Sequence, residues 1–166
     1  QAVYVPADDL TDPSATHIFA HLSASVVLSR KRASQGLYPA VDPLNTYSKM
    51  LNATVVGERH YQIAQAVRSA LADYEELKDI ISMLGLEELS HSDRDTVTKA
   101  RRLERFLTQP FATTEQFTGQ QGRYVPLEAT IEGCERILEG VFDDVAERSL
   151  YMIGSIDEVD SREAAA

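Results

Sequence analysis

The spacing of apolar residues changes character partway along this chain. Up to about Asn52, apolar residues fall in short runs, Ala2–Val5, Ile18–Leu22 and Ser25–Leu28, separated by prolines and turn formers. Runs of that length between turn residues predict short strands joined by loops. Pro6, Pro13, Pro39 and Pro43 each remove a backbone donor and fix φ, which excludes a long helix in this part. From Glu58 the period becomes three to four: Ile63, Val67, Ala70, Leu71, Tyr74, Leu77, Ile81 and Leu84. That spacing predicts one long amphipathic helix, and Gly85 suits its C-terminal cap.

A second helix is signalled by Ser92 with Asp95 three residues on, a capping-box arrangement, followed by Val97, Ala100, Leu103, Phe106 and Leu107. Pro110 ends it. Gly119 and Gly122 mark a loop, and Arg123–Val125 reads as a short extended piece. Pro126 opens a third helix with the face Leu127, Ile131, Cys134, Ile137 and Leu138. Asp143-Asp144 is expected to begin a fourth helix through about Ile153. The tail from Asp157 to the closing alanines lacks apolar anchors and is expected to fray. The fold class is therefore mainly α, with short strands and loops over residues 1–52 and a helical bundle over residues 53–166.

Composition narrows the function classes. Sixteen basic against 26 acidic residues give a net charge of -10, which repels nucleic acid and anionic membrane surfaces. The one dense basic cluster, Lys99-Ala100-Arg101-Arg102 with Arg105, reads as a solvated helix face. The single cysteine, Cys134, has no cationic neighbour in sequence to favour a thiolate and reads as a small buried residue. No apolar run approaches the roughly 20 residues of a membrane span, and the start carries no signal-peptide pattern. A soluble protein in a reducing compartment is expected, and the missing initiator methionine suggests a piece of something longer.

Phosphate-cradling and metal-binding signatures, Gly-x-x-x-x-Gly-Lys-Ser/Thr, Gly-x-Gly-x-x-Gly, Cys-x-x-Cys and His-Glu-x-x-His, do not occur in the sequence. His17 and His21 would share a face on a helix, but in an extended run they stand roughly 13 Å apart and read as ordinary structural histidines. Asp8, Asp9 and Asp12 around Thr11 and Pro13 could work as acid and base or hold a cation, and composition alone favours a solvated Asx-turn. Tyr38, Phe111 and Phe117 flank prolines or turns, positions from which an aromatic ring can stack on a base or simply pack.

Taken in order, Tyr4-Val5-Pro6-Ala7-Asp8-Asp9-Leu10-Thr11-Asp12-Pro13, Leu28-Ser29-Arg30, Tyr38–Leu44, Arg105–Phe111, Phe117-Thr118-Gly119 and Tyr151-Met152-Ile153-Gly154 resemble the beta subunit of rotary ATP synthases over essentially the whole chain. The resemblance implies that residues 1–52 are the last strands and loops of a RecA-like α/β nucleotide domain and that residues 53–166 are the C-terminal helical domain. It further implies that Tyr38 stacks on adenine, with Phe111, Thr114 and Phe117 completing the pocket. Thr114 stands where that family usually has alanine. Asp9, Thr11 and Asp12 would form a loop that catches the rotor.

Glu87-Glu88-Leu89-Ser90-His91-Ser92-Asp93 stands where the family has an acidic lever loop, two of its carboxylates being replaced by His91 and Ser92. Asn45 and Lys49 replace the usual Asp and Arg, so the chain reads as a divergent branch. The partners implied are alpha subunits and the central-stalk gamma subunit, with epsilon as a further candidate, at the cytoplasmic face of a bacterial membrane or its organellar equivalent. The cofactors implied are ATP or ADP with magnesium in a full subunit. The phosphate-binding lysine and metal-site residues of the family would lie before Gln1, so this chain alone is expected to bind nucleotide weakly and not to catalyse. Two other readings compete: a non-enzymatic helical interaction domain, and a RecA-like RNA motor of the Rho type.

Overall fold

In the computed structural model, which describes residues 2–164, a three-residue 3-10 turn (Pro6–Asp8) leads into helix α1 (Pro13–Ala20), strand β1 (Ala24–Ser25), helix α2 (Arg30–Ser34) and strand β2 (Tyr47–Ser48). Helices α3 (Ala53–Val56), α4 (Glu58–Leu84), α5 (His91–Phe106), α6 (Glu115–Thr118) and α7 (Leu127–Leu138) follow. A 3-10 turn at Glu147–Leu150, another at Ile156–Glu158 and helix α8 (Val159–Ala164) close the chain. Gln1 and the last two alanines lie outside the described residues. The chain is mainly α-helical, and among the described residues the one sheet is the antiparallel pair β1–β2 with Ala24 opposite Ser48.

The core is built by three helices. Val67 and Leu71 of α4 meet Ala100, Leu103 and Phe106 of α5 and Cys134 and Ile137 of α7. The chain's last turns add Leu150, Ile153, Ile156 and Val159 to the same cluster. Phe106 fits against α7 because residue 133 has no side chain: a Cβ there would meet Phe106 Cζ at 2.1 Å. Burial of this kind drives helix association, at roughly 25 cal/mol for each Å² of apolar surface removed from water. It also pushes the Cys134 thiol up to about 12, so that residue is inert packing.

Several local expectations are corrected. Ala2–Val5 forms no strand, and Ile18 lies in α1 rather than in an extended run. The reason is the Asp12-Pro13 pair: Asp12 accepts hydrogen bonds from the Ser14 and Ala15 amides, while Pro13 occupies the first helical turn where no donor is needed. His17 and His21 therefore lie 5.2 Å apart between ring centroids, not 13 Å. Of the run Ser25–Leu28, only Ser25 belongs to a strand, and Leu28 makes a single bridge to Val41. Arg123–Val125 forms no strand.

The second helix is capped by Ser90, two residues earlier than Ser92, and the Ser90 hydroxyl accepts from the Asp93 amide at 3.1 Å. The basic cluster is not a solvated face. Arg102 is buried and donates to the carbonyls of Phe142, Asp143 and Val145. Arg101 pairs with Glu147, and Lys99 with Asp95. Those captured carbonyls also explain why no α-helix runs from Asp143 to Ile153: Arg102, not the i+4 amides, satisfies them. The tail is anchored after all, by Ile156 and Val159 at 2% and 1% exposure.

Residues 2–52 attach to this body through polar contacts. Arg68 of α4 donates to the Leu44 and Thr46 carbonyls at 3.0 and 2.8 Å. Arg32 meets Glu104 at 3.1 Å, and Lys31 pairs with Glu75. No helix among the described residues is long and apolar enough to cross a membrane.

Candidate functional site

Two of the aromatic residues singled out in sequence, Tyr38 and Phe111, lie on loops that a backbone hydrogen bond ties together. Tyr38 follows α2 and is half-buried; Phe111 follows α5 and is half-buried. The Gln109 amide donates to the Tyr38 carbonyl at 3.0 Å, which fixes the two loops side by side. Thr114 donates its hydroxyl to the Phe111 carbonyl at 2.9 Å and so stabilises the turn between Phe111 and α6. Phe117 stands on α6 with 87% of its surface exposed, a large apolar ring presented to solvent.

Three side chains that the sequence reading left without a role hold these loops in place. The Tyr151 hydroxyl donates to the Gly36 carbonyl at 2.7 Å, two residues before Tyr38. The Thr108 hydroxyl is buried, donates to the Arg105 carbonyl and accepts from the Met152 amide at 2.9 Å. Met152 takes a positive φ of 55° to make that turn. Glu115 reaches across its loop to accept from the Gly122 amide at 2.6 Å, and the Arg123 amide donates to the Pro110 carbonyl, closing the base of the segment that carries Phe117. A Cβ at Gly122 would stand 2.4 Å from the Ala112 nitrogen, so this closure needs glycine. The Tyr151–Gly154 motif was visible in sequence, but its contacts bridge 44 residues to Thr108 and 115 to Gly36 and have no periodic signature.

The acidic residues form two separate loops. Asp9 accepts from both the amide and the hydroxyl of Thr11, at 2.9 and 2.6 Å, and these bonds, the hydroxyl first, hold its carboxyl below the usual carboxylate range. Asp12 is spent on capping α1, and Asp8 pairs with Arg30 at 3.3 Å. The second loop is the tip between α4 and α5. Gly85 turns the chain with φ of 86°, Glu87 and Glu88 lie exposed on a 3-10 turn, Leu89 is buried, and Ser90 caps α5. The Ser90 hydroxyl contacts Ser92 and Asp93 side chains at 2.9 and 2.7 Å. His91 and Ser92 are exposed, as are Met83 and Leu84 on the last turn of α4. No hydrogen bond or ion pair joins the Asp9–Asp12 loop to the Glu87–Asp93 loop among the described residues.

The two candidate sites lie at opposite ends of α5. The Glu87–Asp93 loop precedes it and the Thr108–Phe117 segment follows it, and a 16-residue helix spans about 24 Å. Its interior side chains Val97, Ala100 and Leu103 are at most 2% exposed, so the rod between the sites is firmly packed.

Comparison with known proteins adds the following. Residues 1–48 match the nucleotide-binding domain of the ATP synthase alpha/beta family, and residues 49–146 match the C-terminal domain of V and A type ATP synthase. ATP synthase subunit beta 1 of Pseudoalteromonas atlantica is 67% identical over 158 residues, covering 95% of this chain and 29% of that protein. ATP synthase subunit beta of Acaryochloris marina is 66% identical over 160 residues, 96% of this chain and 35% of its own length. The chain thus spans about a third of the length of the curated relatives it matches. A solved ATP synthase subunit from Nanoarcheaum equitans, NeqB, shares the fold at a TM-score of 0.66 with 23% identity, covering 82% of this chain and 32% of that one. The alternatives of a simple helical interaction domain and of an RNA motor gain no support from these matches.

Proposed function

The chain belongs to the ATP synthase alpha/beta family as a C-terminal region of its beta subunit, and from that premise we propose that it serves ATP synthesis or hydrolysis coupled to rotation, receiving adenine at one end of α5 and pushing a rotor at the other. Tyr38, Phe111 and Phe117 bind the base, with Thr114 narrowing the pocket. Stacking contributes roughly 1–3 kcal/mol per aromatic, enough to orient a nucleotide and too little to cleave it. Phosphate capture and magnesium need groups outside this set, because transfer of a phosphoryl group requires positive charge at the phosphates.

The observation that carries the reading is the Gln109–Tyr38 backbone bond, which ties one aromatic loop to the C-terminal end of α5. A nucleotide that shifts the Tyr38 and Phe111 loops must therefore also act on α5, and a packed helix transmits the shift to the Glu87–Asp93 loop. Asp9, Thr11 and Asp12 form a second contact with the rotor. At the lever, Glu87 and Glu88 supply negative charge for a basic stalk surface, while Met83 and Leu84 supply apolar area and Leu89 anchors the loop from inside. Alpha subunits and a gamma stalk, with epsilon as a possible further partner, are the assembly this requires, at the cytoplasmic face of a membrane or its organellar equivalent.

The test is a Tyr38 substitution series in the assembled enzyme. Tyr38→Ala is expected to raise the KM for ATP about tenfold, from the lost stacking energy, and to change kcat much less. Tyr38→Phe should retain most of the affinity. An unchanged KM in Tyr38→Ala would remove adenine from this pocket.

A further inference from the structure

The two histidines of α1 have no part in the activity proposed above. His17 lies in the last turn of α1 and His21 at its C-cap, both exposed, with ring centroids 5.2 Å apart and ring planes at 84°. We propose that His17 and His21 chelate one divalent transition-metal ion of the imidazole-preferring class, zinc, nickel or copper. A metal–nitrogen bond of about 2.0–2.1 Å puts the ion about 3.2 Å from each ring centroid. Centroids 5.2 Å apart lie within the roughly 6.4 Å that two such bonds to one ion can bridge. Exposed imidazoles rotate freely about their side-chain torsions, so the backbone spacing, not the present ring orientation, decides whether both nitrogens reach one ion.

That backbone is held firmly. The Tyr47 hydroxyl of β2 donates to the Phe19 carbonyl at 2.9 Å and lies 3.2 Å from the Leu22 carbonyl, clamping the residues on either side of His21. The His21 amide bonds the Ile18 and Phe19 carbonyls, so the helix ends tightly at the second ligand. The C-terminal end of a helix is the negative end of its dipole, which favours a cation there, and the chain's net charge of -10 acts in the same sense. No third histidine, cysteine, aspartate or glutamate completes the set among the described residues, so water or an external ligand fills the remaining positions. Two imidazoles with open positions suit these metals better than magnesium or calcium, which prefer oxygen donors.

Titration of the chain with copper, nickel or zinc salts alone, followed by calorimetry and by the histidine side-chain ¹H–¹⁵N resonances with zinc, tests the site. The expected result is one ion per chain, tightest for copper, with zinc shifting the His17 and His21 resonances while those of His60 and His91 stay in place. Altering even an outer-shell partner of a metal typically costs roughly 10–100-fold in affinity, so His17→Ala and His21→Ala should each weaken binding at least tenfold. His60→Ala and His91→Ala should leave it unchanged. Tyr47→Phe, which keeps both ligands and loosens the clamp, should weaken it a few-fold. Binding that survives either α1 substitution, or resonance shifts spread over all four histidines, overturns the proposal. Unchanged circular dichroism of the variants separates ligand loss from unfolding.

Discussion

Residues 53–164 and residues 2–52 of this chain are held together by opposite means. In the first, sixteen apolar residues from Val67 to Val159 are buried, most of them in one continuous cluster. In the second, the only buried apolar residues are Ala15 and Leu37, while Tyr4, Val26, Leu28 and Met50 are more than half exposed. The N-terminal part keeps its shape through caps, an Asx-turn and hydrogen bonds onto the helical body. Apolar burial sets stability because it sums over many contacts, whereas exposed ion pairs contribute at most a few tenths to about 1 kcal/mol each. The comparison teaches that the two parts open at different cost: the body should unfold cooperatively, and the N-terminal loops should open locally below the global free energy.

The largest expected effect attacks the body. Leu103→Ala removes a side chain with no exposed surface and should cost roughly 3–5 kcal/mol in chemical denaturation. A loss below about 1 kcal/mol would show the core is not where stability resides. Arg102→Leu should cost about 3 kcal/mol, because it leaves the carbonyls of Phe142, Asp143 and Val145 without their donor. Its amide exchange signature should be selective, with faster exchange around residues 143–150.

Smaller effects mark the seam between the two parts. Tyr151→Phe removes the hydrogen bond to Gly36 and should cost about 1 kcal/mol. If Tyr38 lines the adenine pocket proposed above, the substitution should also raise the nucleotide KM of the assembled enzyme a few-fold, since Gly36 leads directly to Tyr38; a purely global stability loss with normal KM would separate Tyr151 from that proposed pocket. The smallest effect is expected at Glu75. Its carboxyl is held below the ordinary value of 4.5 by hydrogen bonds, first from Lys31 and then from Lys78. A depressed folded-state value means that the stabilisation is present above pH 4.5 and drains away as pH falls further. Glu75→Gln should therefore cost no more than about 0.5 kcal/mol at neutral pH. The gap between variant and parent should close in acid; a gap that widens there would reverse the sign of the argument.

Much of the helical part was legible in advance. The span Glu58–Leu84 with Gly85 as its cap is found as expected, because a 3.6-residue apolar period over 27 residues has no competing reading. The helix at Leu127–Leu138 is found too, although Leu127 is 61% exposed and does not join the buried face. The short N-terminal elements were misread because runs of four or five apolar residues fit a strand or one helical turn equally well. There the Asp12-Pro13 pair was the deciding signal.

Sequence alone determined the helix period, the aromatic residues at loop positions and the family, since these depend on local spacing and on the order of motifs along the chain. Tertiary structure decided what Arg102, Thr108 and Tyr151 do, that Ser90 rather than Ser92 caps α5, and that the His17 and His21 rings lie 5.2 Å apart. Each of those depends on which distant backbone groups a side chain meets, and hydrogen bonds across 40 to 115 residues leave no period in the sequence to read.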